Sequence, residues 1–380
     1  MGFLGKIFSR EKGQKVLGVD VGSSAIKVVE LEKKGGVAYL KTYGSLALGP
    51  YVNAEIGQSA KLTNDQLVQA LLDVIGSDGA RVSTRNAAVS IPLRSSLITP
   101  IEMPALSEEE MAKVIPIEAR KYIPVPVSEV YLDWWTIPPE EPLSVSKDEE
   151  QKEQKEGDAK ETPPNSEVLL VAIHNDVITR YNDMVRKTGI KSTFFEIEVF
   201  STVRSVIDQS NGPVVVVDIG AGATKIYVVD VGVVRASHII NRGSQEVTSA
   251  ISRALSITWD EAEEMKREYG LEPQGQNKNI TAVVETTLDH LFNEANVIVQ
   301  SYQRKHKKTI NHVLLTGGGA VMKGLLPFAQ QKFSIEVKLA NPFSKIEAPA
   351  FVSEILEDAG PEFSVALGVA LRKLQEFDGV

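Results

Sequence analysis

The sequence predicts an α/β protein built from two related domains. Along its 380 residues, strand-like apolar runs alternate with helix-like segments, which is typical of α/β folds. Residues 16–27 (VLGVDVGSSAIK) and 214–225 (VVVVDIGAGATK) agree at six of twelve positions, at an offset of 198 residues. Since domains typically hold ~100 to 200 residues, this length suggests two or three of them. We therefore expect two similar domains that face each other, each containing one copy of the repeat.

Each copy of the repeat predicts a buried β-hairpin. An apolar run ends in an aspartate, Asp20 or Asp218, and a glycine-containing turn follows. A second apolar run then begins, at residues 28–31 in one copy and 226–229 in the other. Continuous apolar runs of this length are typical of strands that are buried on both faces.

Capping residues predict where several helices begin. Ser107 with Glu110 and Thr258 with Glu261 form capping-box patterns, and Thr63 is a further cap for a helix that ends near Gly76. The helix that follows Ser107 runs towards Tyr122 and contains a proline at position 116. The other predicted elements are strands at 87–91, 130–137, 168–173, 190–197 and 312–316, and helices at 175–189, 199–208, 259–269, 286–308 and 364–377.

Composition excludes several classes of function. The chain has no cysteine, which rules out disulfides, zinc knuckles, iron–sulfur ligation and cysteine nucleophiles. Its five histidines lack metal-binding spacing, and 41 basic against 50 acidic residues leave no nucleic-acid footprint. No run of 18 apolar residues occurs, so we expect no transmembrane segment.

Two segments are expected to lie outside the folded core. Residues 140–165 hold nine acidic and four basic residues with almost no apolar ones, which predicts a disordered loop inside a domain. Residues 1–15 form a basic, amphipathic N-terminal tail that lacks the features of a signal peptide. This tail is either a frayed or docked segment, which we favour, or a weak membrane anchor.

The glycine turns carry the candidate chemistry. Neither the GxxxxGK[ST] nor the GxGxxG motif is present. Turns with small side chains bring backbone N–H groups close to phosphate oxygens, and two opposed turns would clamp a phosphate chain from both sides. One such turn alone is more often purely structural, but its duplication and a third glycine run favour the phosphate interpretation. The candidate residues are Gly22, Ser23, Ser24 and Lys27, then Gly220, Ala221, Gly222 and Thr224, and finally Gly317, Gly318 and Gly319.

The two aspartates that precede the turns are candidate metal-site residues. Mg²⁺ prefers carboxylate oxygen and usually keeps several of its waters. We therefore expect Asp20 and Asp218 to hold Mg²⁺, mainly through water.

The three glycine elements resemble the phosphate-1, phosphate-2 and adenosine motifs of the actin/Hsp70/sugar-kinase superfamily. Residues 259–270, WDEAEEMKREYG, resemble the segment from which a Glu and a Lys approach the ribose and adenine, here Glu263 and Lys266. Gly243 follows Arg242 at a position where many members of the superfamily have two glycines. The resemblance implies that ATP and Mg²⁺ are the ligands.

Residues 118–137 and 167–204 resemble the family of the type IV pilus assembly protein PilM, which is FtsA-like. This resemblance implies an actin-like ATPase fold, with two RNase H-like domains around a nucleotide cleft and an inserted subdomain. The implied bounds are 16–85, 167–212 and 361–380 for the first domain, 86–166 for the insertion and 213–360 for the second domain.

The resemblance also implies a function. Members of the family bind ATP and the short cytoplasmic N-terminal segment of the bitopic membrane protein PilN, in a groove that involves the inserted subdomain. We therefore expect a cytoplasmic adaptor at the inner face of the bacterial inner membrane, which connects to pilus motor ATPases. The acidic C-terminal residues KLQEFDGV do not resemble the amphipathic anchor of FtsA, which disfavours a role in cell division.

Hydrolysis requires a group that positions the attacking water. The superfamily takes it from the region before the second hairpin, where Glu198 falls, with Glu196 as the alternate. Either carboxylate also suits a helix cap, so we expect tight ATP binding with slow turnover. The alternatives are a small-molecule kinase and an FtsA-like filament-forming protein. Apolar material such as Trp134 and Trp135 in the insertion suits a peptide better than a sugar, whereas self-association is left open.

Overall fold

The computed structural model describes residues 14–137, 165–208, 212–272 and 278–378. Within it the chain forms two compact units, one of Met1–Ser95 with Ile178–Val380 and the other of Ser96–Val177. The predicted tail at 1–15 lies outside the described residues except for its last two positions. The predicted acidic loop at 140–165 lies outside them except for its last residue.

The secondary structure alternates between strands and helices. The strands are β1 Gln14–Val21, β2 Ala25–Lys34, β3 Val37–Ala47, β4 Asn86–Ile91, β5 Ser96–Pro104, β6 Val130–Ile137, β7 Asn165–His174, β8 Lys191–Ile197, β9 Val214–Ile219, β10 Thr224–Asp230, β11 Val233–Ile240, β12 His312–Thr316 and β13 Glu336–Leu339. The α-helices are α1 Asn64–Ile75, α2 Glu108–Glu118, α3 Asn175–Thr188, α4 Glu198–Val206, α5 Ser244–Leu255, α6 Trp259–Tyr269, α7 Lys278–His306, α8 Leu325–Lys332, α9 Ser353–Ala359 and α10 Ser364–Gln375.

The larger unit contains two five-stranded sheets with the same topology. Their strand orders are β3-β2-β1-β4-β8 and β11-β10-β9-β12-β13. In both sheets the first three strands are antiparallel and the last two join in parallel. The two copies of the repeat form the equivalent hairpins β1–β2 and β9–β10, in which Asp20 pairs with Lys27 and Asp218 with Lys225. The predicted α/β class with two related halves is confirmed.

Local sequence signals predicted most helix ends correctly. The capping boxes at Ser107 and Thr258 form as predicted, and Thr63 forms a third one with Gln66. The predicted start of the long helix at residue 286 is wrong, because α7 begins at Lys278. Ile280 and Val284 are buried in the core of the second sheet, so the apolar stripe of α7 extends further towards its N-terminus.

The smaller unit is a three-stranded antiparallel sheet of order β5-β7-β6. Helix α2 covers one face of this sheet, where it contributes Met111 and Ile115 to a local core. The bounds of the unit differ from the predicted insertion at 86–166. Strand β4 pairs with β1 in the larger unit, and β7 is the central strand of the small sheet.

The helices offer no candidate for a membrane span. Among the described residues, none is both long enough and apolar enough to cross a lipid bilayer.

Candidate nucleotide site

The two predicted glycine turns lie opposite each other in the larger unit. Each turn is closed in the same way, because Gly22 N–H donates to the Ala25 carbonyl and Gly220 N–H to the Ala223 carbonyl, both at 3.0 Å. Across the gap, the N–H of Gly222 donates to Ser23 Oγ at 3.3 Å. The structure therefore brings together the turns that the sequence predicted to face each other.

A buried group of acidic side chains lies at the base of the turns. Asp20 accepts a hydrogen bond from Ser90 Oγ at 2.9 Å. The ammonium of Lys225 donates to Asp218 at 2.9 Å and to Glu198 at 2.7 Å. The other oxygen of Glu198 accepts the backbone N–H of Leu93 at 2.7 Å. Lys225 thus bridges two of the three buried carboxylates, Asp218 and Glu198.

The charge states follow from burial and from these neighbours. Burial raises the pKa of Asp20 and of Glu198, although nearby lysines oppose the shift. Burial also disfavours the charge of Lys225, but Asp218 and Glu198 outweigh it and hold the pKa of Lys225 well above its ordinary value. The excess of carboxylate over ammonium favours a further cation, and hard oxygen donors suit Mg²⁺. In the described part of the chain, no three His, Asp or Glu side chains are arranged to enclose a metal ion.

The third glycine run packs against the second hairpin and lies near the first. Gly317 has a φ of +86°, and a Cβ there would lie 2.4 Å from Asp218 Oδ1. A Cβ on Gly319 would meet the side chain of Ile219 at the same distance. Gly318 has more space, since its Cβ would be 3.8 Å from Lys27 Nζ. The run therefore needs glycine at its outer positions for close approach, and its central position is the one nearest Lys27.

The beginning of α5 is fitted to the second turn. Ser244 and Gln245 donate their backbone N–H groups to the carbonyls of Gly220 and Ala221. A Cβ on Gly243 would lie 2.4 Å from these two carbonyl oxygens, so only glycine fits. The hydroxyl of Thr224, predicted as a phosphate donor, instead donates to the Arg242 carbonyl at 2.9 Å.

Glu263 and Lys266 form a second buried charged group. Glu263 accepts hydrogen bonds from Lys266 at 2.6 Å, Thr248 at 2.7 Å and Arg267 at 2.8 Å. Burial would raise the pKa of Glu263, but Lys266 outweighs it and the pKa is lowered. Burial lowers the pKa of Lys266. The two residues that the resemblance assigned to the ribose and adenine are thus held together by Thr248.

The two candidate catalytic glutamates lie in different surroundings. Glu198 belongs to the acidic group at the turns. Glu196 instead accepts hydrogen bonds from Ser201, Arg204 and Arg372, at 2.6 to 2.8 Å. This network ties β8 to α4 and α10, and none of its members is a predicted nucleotide ligand. Glu196 therefore contributes to the packing of these elements. Glu198 is the remaining candidate for the catalytic carboxylate.

Sequence reasoning missed three residues of the site. Lys225 could have been predicted from the repeat, because it is equivalent to the candidate residue Lys27. Ser90 and Thr248 carry no motif, and only the fold brings them beside Asp20 and Glu263. No local pattern would have identified either residue.

Two sheets of equivalent strand order, whose glycine turns contact each other, define an actin-like ATPase fold. Comparison with known proteins identifies the family within this fold class. Residues 18–151 and 153–374 match the family described as Type IV pilus assembly protein PilM, and the chain belongs to this family.

Solved structures support the same fold. A structure described as a PilM-PilN type IV pilus biogenesis complex superposes with a TM-score of 0.77 and 24% identity, and covers 94% of this chain and 98% of that one. The ethanolamine utilization protein EutJ from Carboxydothermus hydrogenoformans gives a TM-score of 0.51 at 15% identity, with 94% and 89% covered.

Curated relatives include the cell division protein FtsA. The protein from Neisseria meningitidis is 23% identical over 231 residues, which is 54% of each chain. The protein from Pseudomonas aeruginosa is 22% identical over 409 aligned residues, with 97% of this chain and 91% of that one covered. The chain thus spans about half the length of the first of these relatives and most of the second.

Proposed function

We propose that this protein is an ATP-binding adaptor of the type IV pilus assembly complex at the cytoplasmic face of the inner membrane. The observation that carries the proposal is the pair of opposed glycine turns, each preceded by a buried aspartate, in a member of the PilM family. We further propose that the adaptor binds the cytoplasmic N-terminal peptide of a PilN-like membrane protein, which would place it at the membrane through its partner.

In this proposal the phosphate chain of ATP lies between the two turns. The N–H groups of Gly22 and Gly220 close the turns, so the backbone N–H groups of Ser23, Ser24 and Ala221 would face the phosphate oxygens. Lys27 would add a positive charge. Asp20 and Asp218 would hold Mg²⁺ through water, and the metal would neutralise the phosphate charge. Glu263 and Lys266 would meet the ribose and adenine, while Gly318 would lie close to the nucleotide, next to Lys27.

Glu198 is the proposed water-positioning residue, and its contacts favour slow turnover. Both of its carboxylate oxygens are already engaged, by Lys225 and by the backbone of Leu93. Each oxygen keeps one lone pair for a water, but the two partners fix the orientation of the carboxylate, so it cannot turn freely towards an attacking water. We therefore propose that the protein binds ATP tightly and hydrolyses it slowly.

The nucleotide site is tested by calorimetric titration of Mg-ATP. The variant Lys27→Met should weaken binding by about tenfold or more, because a charge-assisted contact to phosphate is worth ~1.5 to 3 kcal/mol. Lys34→Met is the matched control, since Lys34 lies on the same strand β2 but pairs with Glu32 at the exposed end. Its affinity should equal that of the wild type, and EDTA should weaken binding by both proteins.

Two results would contradict this part of the proposal. One is the absence of Mg-ATP binding by the wild type. The other is an equal loss of affinity in Lys27→Met and Lys34→Met, because that pattern would indicate a general charge effect.

The peptide site is proposed on the smaller unit. Strand β6 lies at an edge of the three-stranded sheet and directs Leu132 and Trp134 towards the core beneath α2. Tyr131 and Trp135 alternate with these residues and so lie on the opposite face, where they are 58% and 39% exposed. An exposed aromatic pair beside a strand edge suits an extended, partly apolar peptide.

A fluorescent peptide that copies the N-terminal segment of the PilN-like protein from the same organism tests this site. Trp135→Ala should weaken binding by about tenfold or more, since buried aromatic anchors typically contribute ~2 kcal/mol or more. Ile117→Ala on α2 is the control, because Ile117 is an equally apolar, 63% exposed residue away from the sheet. Wild-type affinity in Trp135→Ala, or a larger loss in Ile117→Ala, would contradict the proposed location.

A further inference from the structure

A loop of the first half crosses to the second half beside the candidate nucleotide site. Residues 53–60 follow a short 3₁₀ helix, Gly49–Val52, and precede α1. We name this loop the strap. Both of its ends are fixed to the first half, because Ala54 N–H donates to Gly49 and Ala60 N–H donates to the carbonyl of Ser23, at 3.0 and 2.8 Å.

The middle of the strap is bonded to the second half. Trp259 donates its indole N–H to the carbonyl of Ile56 at 2.9 Å. The side-chain oxygen of Gln245 accepts the backbone N–H of Ser59 at 3.0 Å. Both partners lie at helix beginnings in the second half, on α6 and α5.

The strap also lies directly against a residue assigned to the nucleotide. Gly57 has a φ of +87°, and a Cβ at this position would come within 2.9 to 3.0 Å of the carboxylate of Glu263. Ser59 approaches Gly222 in the second turn in the same way, since a Cβ on Gly222 would be 2.9 Å from Ser59 Oγ. The strap thus runs over Glu263 and past the phosphate turns.

The contacts that hold the strap down are few and near solvent. Its bonds to the second half involve a half-buried indole and an amide side chain, and Ile56 itself is 48% exposed. These two hydrogen bonds and a side-chain contact between Glu55 and Asp260 of α6 fix the segment, which can open locally without unfolding of either half. No apolar side chain of the strap is buried in the second core.

We propose that the strap gates the nucleotide site: residues 53–60 must lift from Trp259, Gln245 and Glu263 before a nucleoside triphosphate can bind or leave. This inference rests on the proposed function of the cleft. It predicts that the strap sets the rates of nucleotide exchange, while the residues beneath it set the affinity. A gate of this kind slows association and dissociation together.

The test uses a fluorescent ATP analogue and stopped-flow measurement of association and dissociation rates. Trp259→Phe removes the indole donor and keeps an aromatic ring. Gly57→Ala introduces a methyl group against Glu263 at a left-handed φ. Trp259→Phe should raise both rates by roughly fivefold, the factor that corresponds to one hydrogen bond, with a smaller change in Kd. Gly57→Ala should also raise both rates, because the methyl group pushes the strap away from Glu263. Gly36→Ala is the matched control, because its φ is +83° with no atom within 4 Å, and its rates should equal the wild-type rates.

The outcomes separate the gate from the site that it covers. If the analogue binds and both strap variants keep wild-type rates, the gate is wrong and the nucleotide site stands. If only dissociation becomes faster, the strap is a ligand contact, which also overturns the gate. If the strap variants bind the analogue and the wild type does not, the result would support a gate that stays closed in the wild-type protein. No binding by any of the proteins would overturn the nucleotide site and the gate together.

Discussion

Replacing Lys225 with methionine should lower the free energy of unfolding by about 3 to 5 kcal/mol at neutral pH. The ammonium of Lys225 hydrogen-bonds to both Asp218 and Glu198 and so compensates the charge of these two carboxylates. All three side chains are at most 18% exposed. Its removal would leave two carboxylates in a place where water cannot solvate them, and removing one partner of a buried pair is far more costly than losing a surface ion pair.

The defect should shrink as the pH falls. In the variant, Glu198 would lose the lysine that opposes the effect of burial, so its pKa would rise further above the value in the unfolded chain and the folded state would bind more protons. That contribution to stability is present at low pH and is lost as the pH rises through the raised pKa of Glu198. Urea unfolding at neutral and at mildly acidic pH measures the difference between variant and wild type under each condition.

Lys27→Met is the matched control for this experiment. Lys27 holds the equivalent position in the first copy of the repeat, but its nearest carboxylate, Glu362, is 3.9 Å away. Its loss should cost less than the loss of Lys225, because it removes an attraction to buried Asp20 but no hydrogen bond to a carboxylate. Equal destabilisation by the two substitutions would contradict the structural role assigned to Lys225.

The second large effect is expected at Gly18, in the middle of β1. A Cβ at this position would lie 1.9 Å from the carbonyl oxygen of Ala366 and 2.8 Å from the Cβ of Ala370, both on α10. Neither atom belongs to a flexible side chain, so α10 would have to move away from the sheet. Gly18→Ala should therefore cost about 3 kcal/mol, at the upper end of the usual range for overpacking.

Thermal and urea unfolding of Gly18→Ala would test this expectation. The control is Gly318→Ala, because the nearest atom to its new methyl group would be 3.8 Å away. Its stability should stay within about 0.5 kcal/mol of the wild type. A mild Gly18→Ala together with a severe Gly318→Ala would show that α10 does not approach β1 as closely as described.

The position of α10 also explains a second glycine. Gly368 lies on the side of α10 that faces α4, where a Cβ would come 1.8 Å from the carbonyl of Ser201. The helix is therefore held between β1 and α4 by one glycine on each side. This arrangement fixes α4, whose first residue is Glu198, relative to β1, which contains Asp20.

Patterns within a few residues were predicted reliably because the interactions that produce them are local. A capping box needs only the side chain and backbone of four consecutive residues, and Ser107 and Thr258 satisfy it without help from the rest of the chain. Helix α6, from Trp259 to Tyr269, has both of its ends where the sequence places them. The predicted start of α7 was too late because the buried residues Ile280 and Val284 belong to additional turns of the helix, which begins at Lys278.

The amino-acid sequence by itself determined the duplicated hairpin, the aspartates that end its strands and the family to which the chain belongs. These features depend on the identity and spacing of neighbouring residues, and the same pattern occurs twice in the chain. Only the tertiary structure decided that Lys225 lies between Asp218 and Glu198, that Thr248 joins Glu263 to Lys266, and that the strap reaches Trp259. These contacts join residues 7 to 203 positions apart. Except for the Lys225–Asp218 pair within one hairpin, their partners are set by how separate sheets and helices pack, which no short pattern encodes.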